Sequence, residues 1–149
     1  MADENLAKEQ RPKKKVKAIH SFGKRKDAVA RATMTPGKGL VTVNSMPLNL
    51  WGTEFSRMRI QEPIMLASEL SKDFDFKITV RGGGYSGQTE AVRQSVARCL
   101  VEAGNKETKQ RFVDYDRNLL VVDPRRNETH HAGSASRRGS RRHEQRSKR

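Results

Sequence analysis

The clearest hydrophobic pattern in the chain is a strict alternation of apolar and polar residues over residues 74–81, Phe-Asp-Phe-Lys-Ile-Thr-Val-Arg. A period of two is typical of a strand with one buried face. Over residues 91–103, small and apolar residues recur at helical spacing instead, which predicts a helix with one apolar stripe. Thr89 and Glu90 suit the first turn of that helix, where side-chain oxygens and negative charge are favourable. The glycine-rich stretch between them predicts a sharp turn.

Weaker patterns predict the remaining elements. Residues 27–34 and 40–44 resemble two strands of a hairpin, joined by the turn residues Thr35-Pro36-Gly37-Lys38-Gly39. Four further elements are expected. A short strand at 48–51 would have Trp51 packed in or beside the core, and a short helix at 63–70 would have Pro63 in its first turn. Residues 106–118 predict a second short helix and a loop, and residues 119–122 predict a buried strand that ends at Asp123-Pro124.

Positive charge is concentrated at the two ends of the chain. Of the formal net charge of +14, residues 11–26 carry +8 and residues 124–149 carry +7, whereas residues 27–123 sum to only +1. A chain this cationic needs an anionic partner. We therefore expect three parts: a basic, disordered N-terminal extension over residues 1–21, a globular body over residues 22–124, and an extended, disordered arginine-rich tail over residues 125–149.

Several classes of function have no support in the sequence. Cys99 is the single cysteine, so no intrachain disulfide forms and a reducing compartment, by default the cytoplasm, is expected. No apolar run approaches the ~20 residues that span a bilayer. The histidines form no ligand set, and neither a carboxylate pair nor a nucleophile motif is present. We expect no enzyme activity, no metal, no cofactor, no membrane contact and no small-molecule substrate.

Gly82, Gly84 and Gly87 match the spacing of a dinucleotide-binding fingerprint between a strand and a helix. The nearest strand-end acid, Asp123, lies far beyond the ~20 residues that this fingerprint requires. Three interpretations stay open: a structural turn, backbone amides that receive a nucleic-acid phosphate, and, as the least favoured, a nucleotide site.

The basic ends differ in composition. The N-terminal arm is mainly lysine, and it is either a solvated extension, a sorting signal or a phosphate contact; the position of residues 24–26 beside a strand favours contact. The tail is mainly arginine, whose guanidinium group binds phosphate bidentately and stacks on bases. The tail composition therefore favours contact with structured RNA over a solubilising role.

Several specific segments follow one another along the chain. They include Gly23-Lys24-Arg25-Lys26-Asp27-Ala28, Gly37-Lys38-Gly39, Glu62-Pro63, Gly82-Gly83-Gly84-Tyr85-Ser86-Gly87-Gln88, Asp123-Pro124-Arg125-Arg126 and the closing Gln145-Arg146-Ser147-Lys148-Arg149. In this order they resemble the family of the ninth protein of the small ribosomal subunit over residues 22–149. Residues 115–124 are most similar to archaeal and eukaryotic members, whereas the Ser-Lys-Arg ending is similar to bacterial ones. Residues 129–137 depart from the family, which usually has lysines and a Gly-Ala-Arg segment there.

The resemblance implies an α+β fold, a two-layer sandwich with a left-handed βαβ crossover, although general topology rules favour the right-handed form. It also implies a structural constituent of the small ribosomal subunit in the cytoplasm, with neighbouring head proteins, small-subunit rRNA and peptidyl-site tRNA as partners. By position, the contacts to the tRNA anticodon stem-loop would be Arg146, Ser147, Lys148 and Arg149. The rRNA contacts would be Lys24, Arg25, Lys26, Lys38, Gly82, Gly83, Gly84, Tyr85, Gln88, Arg125, Arg126, Arg137, Arg138, Arg141 and Arg142.

Two rival functions remain at this point. A free nucleic-acid packaging or regulatory protein would bind generic duplexes with a steep salt dependence. An enzyme that uses the glycine turn for a nucleotide would bind ATP or a dinucleotide saturably.

Overall fold

A computed structural model describes residues 18–126 of the chain. Its strands are β1 (Ile19–Arg25), β2 (Ala28–Pro36), β3 (Val41–Val43), β4 (Met46–Pro47) and β5 (Phe74–Arg81). Its helices are α1 (Glu54–Leu66), α2 (Ser68–Ser71), α3 (Tyr85–Ala103) and α4 (Lys106–Tyr115), with 3₁₀ turns at Leu48–Leu50 and Arg117–Leu119. This mixed architecture confirms the predicted α+β class. Within residues 18–126, no helix is long and apolar enough to cross a membrane.

The five strands form one sheet in the order β1-β2-β5-β3-β4. The central strand β5 has the predicted bounds; it pairs antiparallel with β2 and parallel with β3. The parallel pair is connected through α1 and α2, so the expected βαβ crossover is present. The left hand of that crossover stays a prediction from the family resemblance.

Helix α3 packs directly on one face of the sheet. Strand β2 turns small side chains toward it, since Ala28, Ala30 and Ala32 are all buried. On β1, a Cβ added to Gly23 would collide with the carbonyl oxygen of Ala91 on α3, so glycine is required for this close approach. The opposite face of β2 and β5 carries exposed or half-buried, mostly polar side chains. The core therefore lies between the sheet and α3.

The predicted hairpin of residues 27–34 and 40–44 is wrong. Strands β2 and β3 exist, but β5 lies between them and pairs with both. Asp75 at the start of β5 stabilises the β2–β3 loop, because its Oδ1 accepts the N–H groups of Lys38 and Leu40 at 2.8 Å each. These hydrogen bonds hold the pKa of Asp75 below its usual value. The turn residues were recognised correctly, and the pairing partner was not.

Two predicted elements near the crossover need correction. Residues 48–50 form a 3₁₀ turn instead of a strand, although Trp51 is buried as expected. The helix expected at 63–70 is two helices, and Pro63 lies near the end of the first. That first helix begins nine residues earlier, at Glu54, where the Oγ1 of Thr53 accepts the N–H of Ser56 at 3.3 Å.

Three further elements differ from the prediction. Strand β1 (Ile19–Arg25) was not predicted from the sequence, in which the first expected strand begins at residue 27. Helix α3 begins at Tyr85, so Thr89 lies in its second turn, where its hydroxyl donates to the carbonyl of Tyr85 at 2.9 Å. Residues 119–122 do not form a strand: Leu119 is buried in a 3₁₀ turn, and Val121 is exposed. The predicted helix at 106–118 is confirmed as α4 with a loop after it.

Candidate nucleic-acid interface

A groove of about 490 Å³ opens at the end of the sheet where β5 meets α3. Its walls are the β1–β2 turn, the loop between β5 and α3, the first turn of α3, and side chains from α1 and from the segment after α4. Five cationic and three anionic side chains line it. The lining residues include six of the predicted rRNA contacts, namely Arg25, Lys26, Gly83, Gly84, Tyr85 and Arg125.

The conformation of the glycine loop requires glycine at two of its positions. Gly82 and Gly83 have φ angles of +78° and +63°, a region that other residues rarely adopt. A Cβ on Gly83 would lie 2.9 Å from the backbone nitrogen of Ala28, so the loop is packed against the β1–β2 turn. Gln88 fixes the loop from the helix side by donating to the carbonyl of Gly82 at 3.1 Å. This geometry supports the structural-turn interpretation.

The first turn of α3 faces the groove with no side-chain cap and no acidic residue. The N-cap is Gly84, and a Cβ there would meet no atom within 4 Å. The first amides of a helix have no partner within it, and the helix dipole adds positive potential at the same point. In a helix of 19 residues this end is suited to an anionic oxygen, which supports the phosphate interpretation as well.

A buried ion-pair network lies beneath the groove. Arg93 on α3 is 3% exposed, with its Nη2 2.6 Å from Oε2 of Glu62 and its Nη1 2.9 Å from Oδ2 of Asp116. Glu90 lies 3.5 Å from Arg93 and 3.2 Å from Arg59. The contact between Arg93 and Glu62 is an ion pair without hydrogen-bond geometry. Nε of Arg93 is buried and has no hydrogen-bond partner among residues 18–126. The network joins α1, α3 and the segment after α4.

The charges in this network hold one another in the ionised form. Burial alone would lower the pKa of Arg93, but the hydrogen bond to Asp116 and the charges of Glu62 and Glu90 outweigh it and raise that pKa. Burial alone would raise the pKa of Asp116, but the N–H of Asn118 and the Arg93 guanidinium outweigh it and lower that pKa. Glu62, Glu90 and Asp116 are therefore each paired with an arginine beneath the groove.

Side chains of α3 also fix the segment that leads into the C-terminal tail. Gln94 accepts the N–H of Lys24 at 2.9 Å and donates to the carbonyl of Val121 at 2.8 Å. Arg98 donates to the carbonyls of Leu120 and Phe22, at 2.9 and 2.8 Å respectively. Asp123 then pairs with both Arg25 and Arg125. The described chain therefore ends beside the groove.

The structure does not bring all the predicted contacts together. Lys24 belongs to the outward row of β1, because its neighbour Gly23 faces α3. Lys38 lies in the β2–β3 loop at the opposite end of the sheet. Arg126 is exposed at the end of the described range. The predicted contacts Arg137, Arg138, Arg141, Arg142, Arg146, Ser147, Lys148 and Arg149 lie outside the described residues.

Sequence reasoning missed Gln94, Arg98 and the Arg93 network. The available signal was the run of polar residues on a helix that is otherwise small and apolar, since Arg93 and Gln94 are buried there. Buried polar side chains require partners, but the sequence does not say which ones. Cys99 is buried on the same helix, and burial raises the pKa of its thiol to about 12. Over residues 18–126, no cluster of His, Cys, Asp and Glu could hold a metal ion.

The fold and the groove define a class: a small basic α+β protein with a glycine loop and an uncapped helix N-terminus at one end of its sheet. The chain belongs to the family Ribosomal protein S9/S16, whose model matches residues 23–149. A relative from Methanococcus maripaludis named "Small ribosomal subunit protein uS9" is 42% identical over 122 residues, which cover 81% of this chain and 91% of the relative. One of the same name from Desulfurococcus amylolyticus is 45% identical over 115 residues, covering 76% and 82%.

These matches confirm the resemblance stated from the sequence motifs. The family is one of structural proteins of the ribosome, and its members are not known as enzymes. The match reaches through the tail to the last residue, so the tail is part of what this chain shares with the family.

Proposed function

We propose that this chain is a structural constituent of the small ribosomal subunit, where the groove binds small-subunit rRNA and the tail contacts the anticodon stem-loop of peptidyl-site tRNA. Neighbouring proteins of the subunit head complete its surroundings. The observation that carries the rRNA proposal is the uncapped N-terminus of α3, which opens with the glycine loop into a groove where Glu90 and Asp116 are already paired with arginine.

In this mechanism a phosphate of the rRNA accepts hydrogen bonds from the first amides of α3. Lys26 on the β1–β2 turn and Arg125 after α4, which both line the groove, supply positive charge. Arg125 is exposed and shares Asp123 with Arg25, so it can reach a phosphate while Arg25 retains the carboxylate. The protein lowers the repulsion between packed phosphates and performs no chemistry.

The tail proposal rests on length and composition. Residues 125–149 could span about 80 Å when extended, at ~3.3 Å per residue. Their arginines suit phosphate contact along that path. The last residues, Arg146, Ser147, Lys148 and Arg149, are proposed to reach the tRNA.

The groove proposal is tested by the salt dependence of binding to small-subunit rRNA. The double substitution Lys26→Gln and Arg125→Gln should lower the slope of log affinity against log salt by about 0.7–0.9 for each phosphate that the variant no longer neutralises. Lys106→Gln with Lys109→Gln removes the same charge from the exposed face of α4, away from the groove, and serves as the control. Equal slopes for the two variants would contradict the proposal.

The tail proposal is tested with small subunits assembled from the complete chain or from a chain that ends at Gln145. Faster dissociation of peptidyl-site tRNA from the truncated particles, with normal incorporation of the protein, is the expected result. An unchanged dissociation rate would limit the tail to packing rRNA. Failure of the complete chain to enter the particle would favour a free nucleic-acid-binding protein.

A further inference from the structure

The sheet face opposite α3 is the second large surface of the body, and no function has been assigned to it above. Its outward positions on β2 and β5 form a shallow concavity of about 700 Å³ that contains neither the groove nor the glycine loop. The residues that line this open face are Val29, Arg31, Thr33, Lys77, Thr79 and Arg81. Only Lys24, at its border on β1, is among the contacts predicted from the sequence.

The charge on the open face is of one sign. Arg31, Lys77 and Arg81 are exposed, and none of them takes part in an ion pair with a described residue. Asp75 is the one acidic residue at an outward position of the described strands. It lies at the far end of β5, where its carboxylate accepts two backbone N–H groups of the β2–β3 loop. In the groove, by contrast, most cations already have carboxylate partners.

The register of the sheet fixes the spacing of the three cations. Lys77 and Arg81 are four residues apart on β5, which places their Cα atoms about 13 Å from each other. Arg31 on β2 pairs with Thr79, midway between them, one strand spacing of about 4.8 Å away. Each pair that includes Arg31 is therefore separated by about 8 Å. Three cations at these distances can contact several phosphates of one polyanion at the same time.

The uncharged residues of the open face indicate which form of RNA it fits. Thr33 and Thr79 add hydroxyl groups beside the cations. No aromatic residue lines the described centre of the face. Phe22 at its border is 57% exposed, and the guanidinium of Arg98 lies over its ring, 5.1 Å from the ring centre. Single-stranded RNA is recognised largely by stacking on aromatic side chains, whereas duplex RNA is recognised by shape and by contacts to phosphates and 2′-hydroxyls.

We propose that the open face is a second RNA-binding surface, which holds the sugar–phosphate backbone of a base-paired rRNA segment through Arg31, Lys77 and Arg81. The proposal rests on the proposed function, since it takes the partner to be the same rRNA. The body then contacts RNA at two places: a helix N-terminus in the groove and a flat cationic sheet. A protein with two such surfaces can hold two RNA segments together.

The test compares three full-length variants in binding to an RNA hairpin duplex and to an unpaired strand of the same length. The first carries Arg31→Gln, Lys77→Gln and Arg81→Gln; the second carries the groove pair Lys26→Gln and Arg125→Gln. The third is the matched control, Lys106→Gln, Lys109→Gln and Arg111→Gln on the exposed face of α4. Thermal unfolding of each variant is measured first, because exposed substitutions should leave the midpoint nearly unchanged.

The open-face variant should lower the salt slope for the duplex by about 2.7, at about 0.9 for each of three phosphates. Between 50 and 200 mM salt, its affinity should then fall about 40-fold less than that of the unmodified chain. The control should retain the original slope. A larger effect on the unpaired strand than on the duplex would overturn the assignment to base-paired RNA.

The outcomes separate this inference from the proposed function. A normal slope for the open-face variant, together with a reduced slope for the groove variant on small-subunit rRNA, would overturn the second surface and leave the groove proposal intact. Failure of the unmodified chain to bind small-subunit rRNA would overturn both.

Discussion

Gly83 has a positive φ at a point where its backbone touches the neighbouring turn, and both facts depend on the missing side chain. Its φ is +63°, and a Cβ would lie 2.9 Å from the backbone nitrogen of Ala28. Gly84, the next residue, has a φ of −99° and open space around the same position. Adjacent glycines in one loop therefore have different roles, the first in folding and the second in leaving the helix N-terminus accessible.

We predict that Gly83→Ala lowers the free energy of unfolding by about 2–3 kcal/mol, because it combines left-handed strain with a backbone collision. Gly84→Ala is the matched control, and it should change the same quantity by less than about 1 kcal/mol. Urea denaturation of the two variants measures both values. Equal destabilisation by the two substitutions would contradict the close-approach interpretation.

Asp116 makes the free energy of unfolding of the body depend on pH. Its pKa is lowered in the folded protein, so the stabilisation that it contributes is present above its unfolded pKa of about 3.9. That stabilisation is lost as the pH falls through the folded pKa. Asp116→Asn should lower the free energy of unfolding at pH 7 by about 1–3 kcal/mol, since buried Arg93 loses an ionised partner.

The measurement is the free energy of unfolding from pH 7 down to pH 2. The difference between the unmodified chain and Asp116→Asn should shrink below pH about 4. Asp114→Asn, at an exposed position on α4, is the control and should show no such convergence. A constant difference across the whole range would show that the Asp116 charge is not what stabilises the fold.

At the scale of elements, α3 connects the edge strand β1 to the segment that leads into the tail. An edge strand has unpaired N–H and C=O groups on its outer side. On β1, Gln94 accepts the N–H of Lys24 and Arg98 donates to the carbonyl of Phe22. The same two side chains also donate to the carbonyls of residues 120–121. The start of the tail is held in place by a helix whose first turn faces the groove.

We predict that Gln94→Ala lowers the free energy of unfolding by about 1–2 kcal/mol, since it leaves the Lys24 N–H and the Val121 carbonyl without their partner. Hydrogen exchange at the Lys24 amide should accelerate. Gln110→Ala is the control, because Gln110 bonds only across the exposed surface of α4, to Asp114. Unchanged exchange at Lys24 in the Gln94 variant would refute the role of this side chain.

The elements also show how much of the fold local sequence patterns can predict. Strand β5 and most of helix α3 were predictable because their periodicity is regular. The pairing of β2 with β5 was not predictable, because a Pro-Gly turn specifies only a change of chain direction and β5 comes much later in the sequence. The extent of α1 was missed because Pro63 resembles a helix start, yet it lies near the end of α1.

Parts of the candidate site were also predictable from the sequence, and other parts were not. The glycine loop was visible in the sequence, since its residues are consecutive. The network of Glu62, Arg93 and Asp116 was not visible in the sequence, because these residues belong to three separate segments that only the fold brings together. The open face was missed because Arg31, Lys77 and Arg81 are isolated single cations within alternating strands, and only the sheet register places them side by side.

At the scale of the whole molecule, residues 27–123 sum to only +1, and the positive charge lies mainly at the two ends of the chain. Within the body, arginines neutralise the carboxylates under the groove, whereas the cations of the open face have no described carboxylate partner. We therefore propose that the body sets the position of the protein and that the arms supply long-range attraction. The central proposal is that the groove end of the body lies against rRNA.

Directed hydroxyl-radical probing tests this claim most directly. Cys99 is buried and its thiol pKa is raised to about 12, so an introduced surface cysteine can be labelled selectively with an iron chelate. Ser86→Cys places the label in the groove, and Ser68→Cys places it on α2, away from the groove. In assembled small subunits, the label at residue 86 should cleave rRNA strongly and the label at residue 68 weakly. Equal or stronger cleavage from residue 68 would contradict the account.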